Sequence, residues 1–205
     1  MQIKKIALGV LASGRGSNLQ AIIDNIEAGQ LDAHIRIVIS DVKDACAMQR
    51  AAQYGIKTCF IDPKQFKGRE NYDQVVAERL KAEGVELVIL AGYMRILSST
   101  LVREFPYRIM NIHPALLPAF PGLHVQRKAL EYGVKFSGCT VHFVDEGLDT
   151  GPIILQAVVP VQDDDNEESL SARILEQEHK LYSRAIQLYS EGRLQIEGRR
   201  VRVET

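Results

Sequence analysis

The stretch Asn111-Ile-His-Pro-Ala-Leu-Leu-Pro-Ala-Phe-Pro-Gly122 puts an amide and an imidazole two residues apart, at the end of an apolar run and ahead of three prolines. Side chains two apart on a strand point to the same side, so Asn111 and His113 can address one atom. An amide donor beside an imidazole suits the stabilisation of an oxyanion, and the imidazole can also carry a proton. Pro114, Pro118 and Pro121 fix backbone angles beyond the pair and limit how far the loop can wander. A histidine merely bonded to a nearby carbonyl explains an isolated Asn-x-His equally, because buried polar groups find such partners. Val144-Asp-Glu-Gly-Leu-Asp-Thr-Gly-Pro152 adds the carboxylates of Asp145, Glu146 and Asp149 in a loop shaped by glycine and proline. One of them beside His113 would hold the imidazole in its protonated form; a solvated turn is the alternative. No set of Asp, Glu and His has the spacing of a known metal-ligand motif, so no metal is expected.

A second candidate is Ala12-Ser-Gly-Arg-Gly-Ser-Asn-Leu-Gln20, where a strand enters, glycines turn and a helix begins at Ser17. Gly14 and Gly16 let backbone amides face one point, and the helix N-terminus adds partial positive charge: an anion site. Gly-Lys-Ser/Thr is absent, and Leu19 stands where a dinucleotide fingerprint needs its third glycine. Ser17 and Gln20 also fit a capping box, which would make this an ordinary capped helix. The first loop of a parallel sheet commonly binds ligands, which favours a phosphate. The run Asp163–Glu168 reads as a solvated acidic lead-in that caps the following helix.

These residues need elements to position them. Apolar, β-branched runs at Lys5–Ala12, His34–Ser40, Lys57–Ile61, Glu86–Ala91 and Arg108–Ile112 predict strands. Helical stripes at Ser17–Glu27, Cys46–Tyr54, Arg69–Glu83 and Ser99–Phe105 separate them. This alternation predicts an open, mostly parallel, doubly wound α/β sheet with helices on both faces. His124–Tyr132 predicts a helix, Phe136–Val144 and Ile153–Val161 two strands able to pair, and Asn166–Glu191 a long C-terminal helix. Gln195–Glu204 predicts a hairpin of marginal stability.

The 205 residues suit one sizeable domain, with no repeat and no linker. A net charge of −1 argues against gripping nucleic acid by its phosphates. No apolar run approaches the roughly 18 residues of a membrane span. The opening Met1-Gln-Ile-Lys-Lys5 leads into too short an apolar stretch for a signal peptide, so a first strand is expected. Cys46, Cys59 and Cys139 fit neither a disulfide framework nor a metal motif and read as buried packing residues in a reducing cytoplasm.

Asn111-Ile-His-Pro-Ala-Leu-Leu-Pro118 followed by Leu148-Asp-Thr-Gly-Pro152 resembles the folate-dependent formyltransferases over essentially the whole chain. Ser13-Gly-Arg-Gly-Ser-Asn18 is similar to those members whose acceptor is 5-phosphoribosylglycinamide. The resemblance implies 10-formyltetrahydrofolate as formyl donor and a single domain over residues 1–205. Its phosphate-substrate half would be 1–100, and its catalytic and folate-binding half 101–205. It implies catalytic roles for Asn111, His113 and Asp149, phosphate contacts at Gly16, Ser17 and Asn18, and an acceptor contact at Glu178. The folate site falls on Arg69, Met94, Arg95, Ile96, Leu97 and Asn111, with Val144, Asp145, Glu146, Gly147, Leu148 and Asp149. Relatives with a further domain at either end are expected to be longer than this chain. Ala115 stands where many members have Ser, with only local effects expected. Partners are then small molecules, not nucleic acid or membrane, with the chain a monomer or homodimer. Two alternatives stay open: a hydrolase releasing formate from the same folate, and a non-catalytic module that binds a phosphorylated metabolite.

Overall fold

A computed structural model describes residues 5–204; residues 1–4, which open the stretch weighed as a signal peptide, and residue 205 lie outside the description. The chain divides into two compact units, one ending at Asn111 and the other beginning at Ile112.

In the first unit, β1 (Ile6–Leu11) is buried at every position, as an unbroken apolar run must be when both faces of a parallel strand are covered. It pairs in parallel with β2 (Ala33–Ser40) and β4 (Leu87–Leu90). β2 extends to β3 (Thr58–Phe60) and β4 to β5 (Ile109–His113), again in parallel. The resulting order β3-β2-β1-β4-β5 reverses direction between β1 and β4. Crossovers leaving neighbouring strands in opposite directions open a crevice beyond the carboxyl ends of those strands. Helices α1 (Ser17–Glu27), α2 (Cys46–Gln53), α3 (Gly68–Ala82) and α4 (Ser99–Glu104) lie in the connections. α1 buries Leu19, Ile22 and Ile23, the stripe its periodicity predicts. A short turn at Pro63–Gln65 has no periodic signal; Asp62 starts it by accepting the Lys64 amide at 3.0 Å.

The second unit holds α5 (Val125–Tyr132), β6 (Phe136–Phe143), β7 (Ile153–Pro160), α6 (Glu167–Ser190), β8 (Leu194–Glu197) and β9 (Arg200–Val203). β6 and β7 are antiparallel, and their register slips between Val141 and His142. The β8–β9 hairpin is joined to β7 through β9. α6 packs over β6 and β7 with Leu170, Ile174, Tyr182, Ala185 and Ile186 buried. Burying side chains of the Leu or Ile class is worth about 1.5–3 kcal/mol each, so this face anchors the helix.

Two expectations need correction. The acidic run is not wholly solvated, because the Asp165 side chain is 2% exposed and grips Arg173 through two bonds of 2.7 and 2.9 Å. That guanidinium, with the Gln162 amide, holds the Asp165 carboxyl well below the ordinary carboxylate range. The cysteines are not all packing residues either. Cys139 is buried, but Cys46 is exposed and Cys59 half-exposed, because one opens a surface helix and the other lies on the edge strand β3.

Asn166 does cap α6. Its side chain accepts the amides of Glu168 and Ser169, both at 2.9 Å, while Ser169 Oγ accepts the Asn166 amide at 3.1 Å. Asn166→Ala is expected to cost about 1 kcal/mol, read as a lower urea midpoint with an unchanged denaturant slope.

Candidate active site

In the first unit the β1–α1 loop turns on Gly16, the residue preceding α1, at φ 73°. A Cβ there would lie 2.7 Å from Ala47 Cα, so both the conformation and the close approach to α2 require glycine. Ser17 is the first helical residue and makes no capping bond, which overturns the capping-box reading. Gln20 instead bonds Asp24, Tyr54 and Arg50. The first-turn amides of a helix have no partner within it, and Gly16, the residue preceding α1, has no side chain to cap them. With the helix dipole they present positive potential beyond β1. Asn18 is buried at the same turn.

The segment after β4 sits beyond the neighbouring strand of the same unit. Met94 and Ile96 are 65% and 56% exposed, an unusual apolar display, whereas Leu97 is buried. The Arg95 guanidinium lies 4.5 Å over the ring of buried Tyr72, whose hydroxyl meets that of Tyr93 at 3.3 Å. Asp73, also buried, accepts the Ser98 amide at 2.5 Å. Desolvation pushes the Asp73 carboxyl above its ordinary value, against that bond. Arg69 stands exposed at the start of α3 beside Glu70.

In the second unit His113 Nδ1 lies 3.4 Å from Asp149 Oδ2, with side-chain exposures of 5% and 10%. The other ring nitrogen, Nε2, is 2.8 Å from the Phe120 carbonyl, so Nε2 carries a proton and donates it there. The carbonyl-bonded histidine and the carboxylate-paired histidine are therefore the same histidine. Asp149 Oδ2 also accepts the Gly122 amide at 2.8 Å. A second buried imidazole faces the same carboxylate, with His142 Nε2 3.8 Å from Asp149 Oδ1 and His142 Nδ1 2.8 Å from the Phe143 carbonyl. Burial pushes the His142 imidazole below the ordinary histidine range, with the Phe143 carbonyl and Asp149 opposing.

The Val144–Asp149 loop divides its carboxylates by role. Asp145 Oδ1 accepts the Gly147 amide at 3.0 Å and the Thr150 hydroxyl at 2.6 Å, shaping the turn. Glu146 and Leu148 are exposed. Asp149 takes left-handed φ of 54°, a conformation Asp tolerates better than most residues. Gly151 brings the chain back against β6 so closely that a Cβ would fall 1.8 Å from the Phe143 carbonyl oxygen. The loop before α5 is held from below: Thr140 Oγ1 donates to the Ala115 carbonyl at 2.7 Å and accepts the Leu117 amide at 3.0 Å. Ala115 itself is buried.

The formyl transferase family matches residues 4–186 of this sequence. The chain belongs to the formyl transferase family. Within the family it is 45% identical over 187 residues to the phosphoribosylglycinamide formyltransferase of Escherichia coli (strain K12), covering 91% of this chain and 88% of that one. The trifunctional purine biosynthetic protein adenosine-3 of Drosophila melanogaster is 51% identical over 92% of this chain, which spans 14% of that relative's length. The crystal structure of glycinamide ribonucleotide transformylase 1 from Symbiobacterium toebii shares 53% identity with a TM-score of 0.97, covering 100% of this chain and 96% of that one. The mostly parallel open sheet with a long C-terminal helix is thus the architecture of a solved formyl transferase.

Not every residue that shapes this candidate site in a formyl transferase could be seen in the sequence. His142 could have been found as the one residue of β6 whose side chain can take up a proton and become positively charged. Glu178, placed only by resemblance, carries its own signal: it is 6% exposed between Ile174 and Tyr182, where the four-residue stripe of α6 calls for an apolar side chain. Burial, aided by the Glu178 charge, pushes the neighbouring Cys139 thiol up to about 12, which keeps it an inert thiol. The Phe120 carbonyl and Gly122 amide left no trace, being backbone groups. Among the described residues, no group of three or more His, Cys, Asp or Glu could hold a metal ion, and no helix is long and apolar enough to cross a membrane.

The buried, neutral His142 has a pH consequence. Its folded-state value lies below the ordinary 6.5, so the unfolded chain takes up a proton in acid that the native state refuses. Stability is therefore full above about pH 6.5 and falls as pH drops below it. His142→Gln is expected to flatten this acid limb, read from urea midpoints between about pH 8 and pH 5.

Proposed function

We propose that this chain is a phosphoribosylglycinamide formyltransferase, moving a formyl group from 10-formyltetrahydrofolate to the amine of 5-phosphoribosylglycinamide in purine biosynthesis. The reading is carried by the buried His113–Asp149 pair at 3.4 Å, on the strand that also bears Asn111. The likeness to relatives named for this activity supports it. The Gly16–Asn18 turn holds the phosphate, and Glu178 contacts the acceptor's glycinamide end. Arg69, Met94–Leu97 and Val144–Asp149 receive the folate. The setting is the cytoplasm, with the chain a monomer or homodimer.

With Nε2–H committed to the Phe120 carbonyl, a neutral His113 would turn a lone pair towards the Asp149 carboxylate. A second proton on Nδ1 replaces that repulsion with an ion pair, in a place where little solvent screens it. His142 cannot share this charge, since burial keeps it neutral. The lone pair of the acceptor amine forms a bond to the formyl carbon, and the carbonyl π pair moves onto the oxygen. Asn111 and His113 donate to that oxyanion, the His113 bond shifting from the Phe120 carbonyl to the substrate oxygen as charge develops there. Asp149 helps pass the amine's proton towards the folate nitrogen, and the carbon–nitrogen bond to tetrahydrofolate breaks. No covalent enzyme intermediate is needed.

Asn111→Ala and His113→Ala are expected to fold normally and lose about 100- to 1000-fold in turnover; near wild-type turnover at saturating substrates would refute these roles. Asp149→Asn keeps the shape but not the charge, so turnover falls and the pH–rate profile changes; an unaltered profile rules out the charge pairing. Formate release at full rate without the glycinamide acceptor would favour the hydrolase.

A further inference from the structure

The reversal of strand order in the first unit brings the ends of β1 and β4 side by side, and a single hydroxyl ties together the segments that leave them. Beyond β1 the backbone keeps its ladder, Ala12 donating to the Ile39 carbonyl at 3.1 Å and Ser13 to the Gly92 carbonyl at 3.0 Å. Ser13 Oγ then donates to Asp41 Oδ1 at 2.6 Å and accepts the Met94 amide at 2.9 Å. A hydroxyl has one proton to give. Asp41 fixes where it points, which leaves a lone pair directed at Met94. A bond from hydroxyl to carboxylate at this length belongs to the stronger, charge-assisted class. The continuations of β1, β2 and β4 thus meet at one oxygen atom.

Two stretches hang from that atom. On one side Ser13 is followed directly by Gly14, whose carbonyl accepts the Ala47 amide at 3.0 Å, and by Gly16 packed against Ala47. The turn is therefore pinned to α2 at one end and to Ser13 at the other. On the other side, the segment from Met94 is held at its first amide by Ser13 and at Ser98 by Asp73. Between those two bonds it displays exposed Met94 and Ile96. A displacement of Ser13 moves the first anchor of both stretches.

We infer that Ser13 is a positioning residue which couples the two ligand loops, so that ordering the Gly14–Asn18 turn by a phosphate also orders the Met94–Leu97 segment for a reduced folate, and the reverse. The inference rests on the proposed function, which assigns those ligands to those loops. Each ligand that orders a loop fixes the shared hydroxyl, and the second ligand then meets a segment already in place. The sign is positive cooperativity, and linkage requires the same factor in both directions.

The test is titration calorimetry on the full chain with 5-phosphoribosylglycinamide and tetrahydrofolate, a pair that binds without transferring formyl. Each dissociation constant is measured alone and with the other ligand saturating. The wild type is expected to show a coupling of about 5-fold or more. In Ser13→Ala that factor should fall towards one, with both ligands weakened alone; Ser13→Thr, which keeps the hydroxyl, should restore it. A coupling factor in Ser13→Ala equal to the wild type's, weakening of one ligand only, or no coupling in the wild type overturns the inference and leaves the function standing. Wild type that binds neither ligand sinks the proposed function, and the inference with it. Should Ser13→Ala not fold, Asp41→Asn carries the same test, because an amide oxygen accepts the hydroxyl less strongly and the factor should shrink part of the way.

Discussion

The second unit is organised around one demand: a carboxylate has to stay beside a buried imidazole with little water to screen either. A charge in such a place is tolerated only when paired and hydrogen-bonded. Asp149 meets the condition through the Gly122 amide at 2.8 Å and the His113 ring at 3.4 Å. His113 is in turn fixed by the Phe120 carbonyl, so the segment after β5 supplies one backbone group to each member of the pair. That segment is steadied by Thr140 and by Gln156, whose amide donates to Leu117 O and Thr140 Oγ1, both at 2.9 Å. The strands β6 and β7 thus do more than frame the site, since the polar side chains of buried Thr140 and exposed Gln156 set the height of the loop that orients the histidine.

The first unit turns on a different feature, the junction of β1 with α1. The left-handed Gly16 ends the loop, so α1 begins without a side-chain cap, an arrangement that costs helix stability. A serine there could cap the helix, but the left-handed backbone and the close approach to Ala47 require glycine. The missing cap is a local weakness that fits the phosphate role proposed for this turn.

Much of this architecture is readable from residues alone. The continuous apolar runs of β1 and β4, and the stripe of Leu19, Ile22 and Ile23, give the alternation that makes a parallel sheet. They do so because burial on both faces leaves no other pattern open to a strand. Placing Asn111 and His113 at a strand end comes from the same logic. Other features are not readable, for identifiable reasons. The slip of register at Val141/His142 depends on pairing with β7. The clasp of Asp165 by Arg173 brings together residues eight apart whose types suit a solvated surface equally well. The exposure of Cys46 depends on which side of α2 faces the sheet, and a single cysteine has no periodicity to reveal it.

The choice among the three carboxylates of the Val144–Pro152 loop shows how position, not residue type, assigns chemistry. Asp145 is occupied by the Gly147 amide and the Thr150 hydroxyl, so its charge is spent on the turn. Glu146 points from an exposed backbone, where solvent screens it. Asp149 alone is carried inward, by a left-handed residue and a glycine, Gly151, that lets the returning chain touch the Phe143 carbonyl. Once inside, it faces two imidazoles, one towards each carboxylate oxygen. His142 is the more fully enclosed side chain, at 3% against 5% exposure, and stands farther from the carboxylate, at 3.8 against 3.4 Å. Both differences weigh against charging His142, which leaves His113 as the nearer partner of Asp149. A lone histidine beside Asp149 would leave the carboxylate's second oxygen open to water. The buried ring of His142 closes that side, which directs the field of Asp149 onto His113.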